Sequence, residues 1–325
     1  MGKIKVQQGV SSNYTDDQLL FIKQMGVQYV FVMLKDEDSN YEGIMRFRER
    51  LDKFGLIPSD AGNHDMYKSA SIHLGLPDRD ACIDRYNALT RAIGKAGIRT
   101  TYMTWEPNFT LSTKSVVGEH SRGAVTRVVD IAQLKTLPYS HGRLYSEDEI
   151  WGNFKYFLDR ALPVCEEADV RIALHPCDPP VPELCGIHNL IHCSDDYRRA
   201  FELAGDSRYL GVKLCVGCLL EGGQEFGDLF ADIEEFVRRD KVIMVHFRNV
   251  SSAIPYLEET LLENGYMDMY KVMKHFVACG FDGYINVDHV PPFAAGGGRV
   301  AGFAYSIGYM KALLKCAEAE LDAKQ

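Results

Sequence analysis

Four residues far apart in a 325-residue chain share one setting. His175 closes the apolar run Arg171-Ile-Ala-Leu-His, Cys215 closes Leu210-Gly-Val-Lys-Leu-Cys, and His246 closes Lys241-Val-Ile-Met-Val-His. Asp288 is carried by the run that starts at Gly283, with His289 beside it and Pro291 and Pro292 stopping the strand at once. Two imidazoles, a thiolate and a carboxylate, with positions left for substrate and water, suit a catalytic divalent cation better than a closed structural one. Mixed nitrogen, oxygen and single thiolate ligation admits Mn²⁺, Fe²⁺, Co²⁺ or Zn²⁺. Each member alone has a plainer reading, as a structural strand-end His, a core Cys or a turn-forming Asp. The set outweighs its members only if the four strands are neighbours.

The pattern around them makes them so. Strands are expected at 4–10, 27–34, 56–61, 98–104, 171–175 and 210–215, then from 241, with His246 ending its apolar run and extension to 250, and last around Asp288. Between them lie helical patterns: one from the Thr15 cap with Gln18 at its third position to Gly26, then 41–54 with Ile44, Phe47, Leu51 and Phe54 on one face, then 80–95. Further helices are expected at 147–167, after Ser194 with Asp195 and Asp196 as its cap, and at 224–239, 267–279 and 303–321. Eight alternating units of this length favour a closed (β/α)8 TIM barrel over a doubly wound sheet, as a single domain over 1–325. In such a barrel the active site lies at the C-terminal ends of the strands, where all four candidates fall.

Composition narrows the partners. A net charge of −9 without a dense Lys/Arg tract argues against nucleic acid and anionic lipid. The N-terminus, Met1-Gly-Lys-Ile-Lys-Val, enters an apparent strand without a signal-type apolar region, and no run approaches the length of a membrane span, so a cytoplasmic protein is expected. The 9 cysteines are scattered, several within apolar strands or helices, which favours reduced thiols. Sequence leaves oligomeric state open, a homo-oligomer included.

Other motifs are weaker. Cys215-Val-Gly-Cys218 has the spacing of a zinc-ribbon or redox pair, but no second pair at matching spacing exists, and Cys218 falls beyond the strand end. Gly296-Gly-Gly-Arg-Val-Ala-Gly302 reads as a loop before the last helix rather than as a phosphate site. His64, Trp105 and Arg122 lie in or near loops after the third and fourth strands and are candidate substrate-pocket residues. The long segment 105–146 carries enough aromatic and apolar side chains to form a folded lid.

Six segments in order, Ile72-His-Leu-Gly-Leu-Pro-Asp-Arg-Asp80, Ile93-Gly-Lys-Ala-Gly-Ile98, Leu174-His-Pro-Cys-Asp-Pro-Pro180, Leu214-Cys-Val-Gly217, Val245-His-Phe-Arg-Asn-Val250 and Val287-Asp-His289, carry a resemblance over most of the chain. The chain resembles the metal-dependent mannonate dehydratases of the xylose-isomerase-like barrel group. That resemblance implies His175, Cys215, His246 and Asp288 as metal ligands, with Mn²⁺ or Fe²⁺ the first expectation, and His289 and Tyr305 as proton-handling residues. The chain departs from the family pattern at Asn286-Val287, where Arg-Pro is usual, at Val290, where Gly is usual, at Cys177 for Asp and at Cys218 for Ser. The implied activity is a lyase that removes water from a sugar acid such as D-mannonate to give a 2-keto-3-deoxy acid, without nicotinamide or flavin. A metal-dependent isomerase, epimerase or eliminase acting on a keto sugar is the alternative, and a non-catalytic carbohydrate-binding barrel the third reading.

Overall fold

Eight runs of chain, several of them apolar, form parallel strands that helices cover on the outside and side chains fill on the inside. The strands are β1 (Lys5–Ser11), β2 (Tyr29–Leu34), β3 (Ile57–Asn63), β4 (Thr100–Thr104), β5 (Arg171–His175), β6 (Leu210–Cys215), β7 (Val242–His246) and β8 (Tyr284–Asn286). This computed structural model describes residues 3–323; Met1, Gly2 and the last two residues, which the expected domain and N-terminal strand entry include, lie outside the described residues. The strands are ordered β3-β2-β1-β8-β7-β6-β5-β4, every neighbouring pair parallel, so β5 to β8 are consecutive staves, as the metal-site argument requires. One continuous apolar core runs from Ile4 to Ala317, and no helix among the described residues is long and apolar enough to cross a membrane.

The seam between β3 and β4 is closed by side chains, no ladder between them being present among the described residues. Tyr102 of β4 lies 1% exposed across it, its hydroxyl 2.9 Å from Met33 Sδ and 3.4 Å from the Val32 carbonyl. Its ring packs edge-on to Tyr67 at 4.7 Å, and a Cβ at Gly62 would come within 3.0 Å of it, so β3 carries glycine where Tyr102 approaches.

Local signals placed most helices. Thr15 and Gln18 form a reciprocal capping box, and Ile44, Phe47 and Leu51 are the buried face of Tyr41–Phe54. Several boundaries differ from expectation, each for a contact that spacing does not encode. The helix after 193 is capped at Cys193, because the Asp196 carboxylate accepts from the Cys193 and His192 amides while Ser194 Oγ donates to Asp232 at 2.6 Å. The expected helix at 224–239 starts at Leu229, where the Asp228 side chain takes the Phe230 and Ala231 amides. An unexpected helix, Val216–Gly222, follows Cys215 directly, and Ile72, His73 and Leu74 are helical rather than loop. The last helix begins earlier, at Arg299, after three glycines at positive φ. β7 stops at His246 instead of reaching 250, and β8 pairs Asn286 with His246 as its last rung, so Asp288 lies two residues past the strand.

The expected lid is folded. Thr113–Val117 and Val125–Asp130 form an antiparallel hairpin to which Tyr256–Glu258, from beyond β7, adds a third strand.

Because the seam depends on one buried aromatic side chain, Tyr102→Ala is expected to cost about 3–5 kcal/mol, the usual range for a large buried ring, and Tyr102→Phe far less. Urea unfolding reads this as a lower midpoint at constant slope; equal midpoints for Tyr102→Ala and the unsubstituted protein would show that the ring does not hold the seam.

Candidate active site

Strand register brings the tips together. Cys215 pairs with His246 and His246 with Asn286, while Thr104 pairs with His175. The His175 and His246 rings lie 5.1 Å apart between centroids. Cys215, His246 and Asp288 offer ligand atoms all within 4.8 Å of one another, and so do His175, Cys215 and Cys218. The four strand-end residues therefore meet as two triads sharing Cys215, with Cys218 in the second.

The donor set has the signature of a cation site. His175 Nδ1 lies 2.7 Å from the Pro176 carbonyl, which holds the proton on that nitrogen and leaves Nε2, buried without a hydrogen-bond partner, facing the others. Neither ring nitrogen of His246 has a hydrogen-bond partner, although Nδ1 lies 3.2 Å from Asp288 Oδ1. Burial pushes the Cys215 thiol up, but the Cys218 hydrogen bond, the Arg248 guanidinium and the two imidazoles outweigh it and hold the thiol well below its ordinary value. Burial raises Asp288 too, and His246, His289 and Arg248 hold it well below the usual carboxylate range. Buried nitrogens without partners beside a thiolate and a carboxylate fit a divalent cation.

Under this set lies a buried network that spacing did not reveal. Arg248, 1% exposed, meets Glu221 at 2.6 Å and Glu259 at 3.3 Å through Nη1, Asp178 at 3.1 Å through Nη2, and Asp288 at 3.2 Å through Nε. Its Nη2 also lies 3.7 Å from Cys215 Sγ and 3.6 Å from Cys218 Sγ. Arg127, carried in by the lid hairpin, meets Asp178 at 2.5 Å, Glu259 at 3.1 Å and Glu221 at 3.3 Å. Burial would raise Asp178, but the two guanidiniums bring it down to about 2. Glu221 goes the other way, to about 8, because burial and the Asp178 charge outweigh the arginines. Asp178 and Arg248 stand inside motifs quoted above, and their charge within apolar, Pro-rich surroundings was the available signal. Glu221 and Glu259 left none.

The remaining candidates separate. A cavity of about 420 Å³ at the barrel mouth is lined by His175, His246, Asp288 and His289 on one side and by His64 on the other. His289 Nδ1 lies 2.7 Å from Glu259, and its side chain is 40% exposed. Burial lowers its pKa, but Asp288 and Glu259 raise it further, to about 9. His64 stacks on Phe109 with ring centroids 5.3 Å apart. Trp105, expected at the pocket, is 1% exposed and packs against His73 and Phe154 in the core, since the chain turns inward after β4. Arg122 and Tyr305 both meet Glu263, at 2.9 and 2.5 Å, and line a neighbouring cavity with Pro291 and Phe293. Tyr305 lies one and a half turns or so inside the last helix instead of opening it. A larger cavity, about 710 Å³ between Ile131, Tyr139, Leu184 and Pro255, contains none of the strand-end residues.

Fold and family-level chemistry define a (β/α)8-barrel enzyme, with the candidate metal-ligating residues at the C-terminal ends of four adjacent strands. Residues 128–323 match the family model described as D-mannonate dehydratase (UxuA). The mannonate dehydratase of Thermotoga maritima is 29% identical over 287 residues, 77% of this chain and 77% of the relative. The solved mannonate dehydratase of Streptococcus suis serotype 2 superposes with a TM-score of 0.85 at 24% identity, covering 99% of this chain and 95% of that one. A xylose isomerase domain protein from Planctomyces limnophilus shares the fold at a TM-score of 0.65 and 12% identity, over 97% of this chain and 98% of that one. The chain belongs to the D-mannonate dehydratase family, and so to the hydro-lyases.

Arg248→Met removes one of the two cations shared by these buried carboxylates and the only one of the pair that meets Asp288, and is expected to cost about 3–5 kcal/mol, the usual price of breaking a buried ion pair from one side. Urea unfolding of the metal-free protein checks this, and an unchanged midpoint would refute the network's structural role.

Proposed function

We propose that the cavity at the barrel mouth takes D-mannonate and eliminates water from it, giving the 2-keto-3-deoxy acid. The observation that carries this reading is the group of buried, unpartnered nitrogens of His175 and His246 around Cys215 and Asp288 on the cavity wall. Family membership and the printed names of the relatives supply the substrate.

His175, Cys215, His246 and Asp288 would hold a divalent cation, with Mn²⁺ or Fe²⁺ the first choice; the imidazoles and carboxylate accept either, and the thiolate favours Fe²⁺ of the two. When bound, the cation supplies positive charge against the negative charge that builds as a proton next to a carboxylate is removed. His289 is the proton-handling residue of the cavity. The Glu259 carboxylate fixes its Nδ1–H and so keeps Nε2 for exchange with the substrate. Tyr305, held by Glu263 in the adjoining cavity, is assigned no step. Cys218 is assigned a packing role: its thiol stays protonated, since burial and the neighbouring Cys215 raise it well above its ordinary value.

Elemental analysis of purified variants tests the ligand set. His246→Ala and Cys215→Ser are expected to lose the divalent metal, whereas Cys218→Ser retains it; full metal in the first two, or loss in the third, overturns the assignment.

Turnover tests the chemistry. The unsubstituted protein with D-mannonate should release a product lighter by one water, and His289→Asn should retain metal while turnover falls by about two to four orders of magnitude, the usual worth of a placed proton-transfer group. An isomer of unchanged mass, or near-normal turnover by the variant, would refute the reading.

A further inference from the structure

The cations around the central cavity are matched to protein anions, with one exception. Lys68 Nζ lies 2.6 Å from Glu106 and 3.1 Å from Thr110, and His289 is held by Glu259. Below them Arg127 and Arg248 are shared among Asp178, Glu221 and Glu259. Lys213 also lines the cavity and is 7% exposed, yet it closes no hydrogen bond or ion pair with any described residue. Its ammonium lies 4.7 Å from the centre of the Tyr102 ring and 5.3 Å from that of Phe31. Ring faces attract a cation but accept its three N–H groups poorly, so the ammonium keeps donors to give. The Asp60 carboxylate attracts it from β3, its Oδ1 accepting from Gln7 and Ser59 and its Oδ2 buried without a hydrogen-bond partner, but Asp60 closes no ion pair with Lys213 and is not part of the cavity wall.

Position puts this cation next to the reacting groups. Val212 pairs with Leu174, which sets Lys213 at the level of His175 on the adjacent strand. Two residues before Cys215, it faces the barrel interior as Cys215 does. Two further cavity residues, Gln8 and Asn286, each bury a side-chain carbonyl oxygen that has no hydrogen-bond partner. A cation with free donors and two amide acceptors complement a carboxylate flanked by hydroxyl groups. A buried ammonium can pair with a carboxylate through a charge-assisted hydrogen bond.

We propose that Lys213 receives the carboxylate of the substrate, with Gln8 and Asn286 accepting from neighbouring hydroxyls, so that the cavity floor selects a polyhydroxy acid over the neutral polyol of the same length. The identity of the acid rests on the proposed elimination; the preference for an anion does not. A buried lysine that served packing alone would show no such preference.

The test uses the full-length, metal-loaded protein and the variants Lys213→Met and Lys213→Gln, with metal content and thermal midpoint checked first. KM for D-mannonate is expected to rise about 10- to 100-fold, the range for losing a hydrogen bond to a charged group, while kcat changes by less than about 3-fold. Inhibition by D-mannitol, the neutral polyol, should stay as in the unsubstituted protein, and Lys213→Arg should restore part of the affinity for the acid. The proposal is overturned by an unchanged KM, by equal losses for acid and polyol, by loss of kcat at constant KM, or by loss of metal or fold in both variants. If the unsubstituted protein does not turn over D-mannonate, the elimination reading falls, and calorimetric binding still decides the anion site. Tighter binding of D-mannonate than of D-mannitol, lost in Lys213→Met, supports it; equal binding, or tighter binding of mannose 6-phosphate than of D-mannonate, sinks it.

Discussion

The guanidinium of Arg248 is the charge around which this site is built. It is buried, and it reaches Asp178 from the loop after β5, Glu221 from the helix after β6, Glu259 from the segment beyond β7 and Asp288 from the end of β8. A guanidinium presents five N–H donors in a rigid plane, so anions on four separate segments can be held in one fixed relation. Removing such a charge from water is expensive and is offset only when its donors are satisfied. The helix Val216–Gly222 must approach closely for this, and a Cβ at Gly217 would land on the guanidinium. Local backbone composition and long-range charge pairing are thus one constraint.

The consequence is preorganisation of the strand-end residues. Arg248 touches Cys215 and Asp288 directly, and Asp288 in turn faces His246. The four candidate ligands are placed by strand register and, at Cys215 and Asp288, by this shared cation. The lid takes part as well, because Arg127 on its hairpin adds a second guanidinium to the same carboxylates. Through Arg127 the hairpin is electrostatically coupled to the carboxylates that Arg248 also holds. In a low-dielectric setting such networks are cooperative.

A second division concerns the rim. His289 belongs to the central cavity and Tyr305 to its neighbour, where Glu263 ties the phenol to Arg122 from the lid. His289 and Tyr305, which the family resemblance paired as proton-handling residues, are thus divided between two hydrogen-bond systems. His64 reaches the central cavity from the opposite wall, from the short helix His64–Tyr67 after β3.

The sequence by itself determined the alternation of strands and helices, and with it the barrel, and it marked the four candidate residues that end or follow β5 to β8. These follow from local physics: apolar periodicity, capping side chains such as Thr15, and the proline pair after His289 act within a few residues and leave their mark in the order of the chain. Even there, β8 stops at Asn286 because its last rung to β7 is made there, and no nearby residue announces that pairing. Tertiary structure alone decided that Trp105 is core, that Tyr305 turns to Glu263, that Cys193 rather than Ser194 caps its helix, and that Lys213 lies inside the barrel without closing an ion pair with a described residue. It also decided that Arg127 and Glu259 complete the network around Arg248. Each of these depends on which distant groups share a buried, poorly screened volume, and the energy of a buried charge or ring is set by those neighbours rather than by its place along the chain.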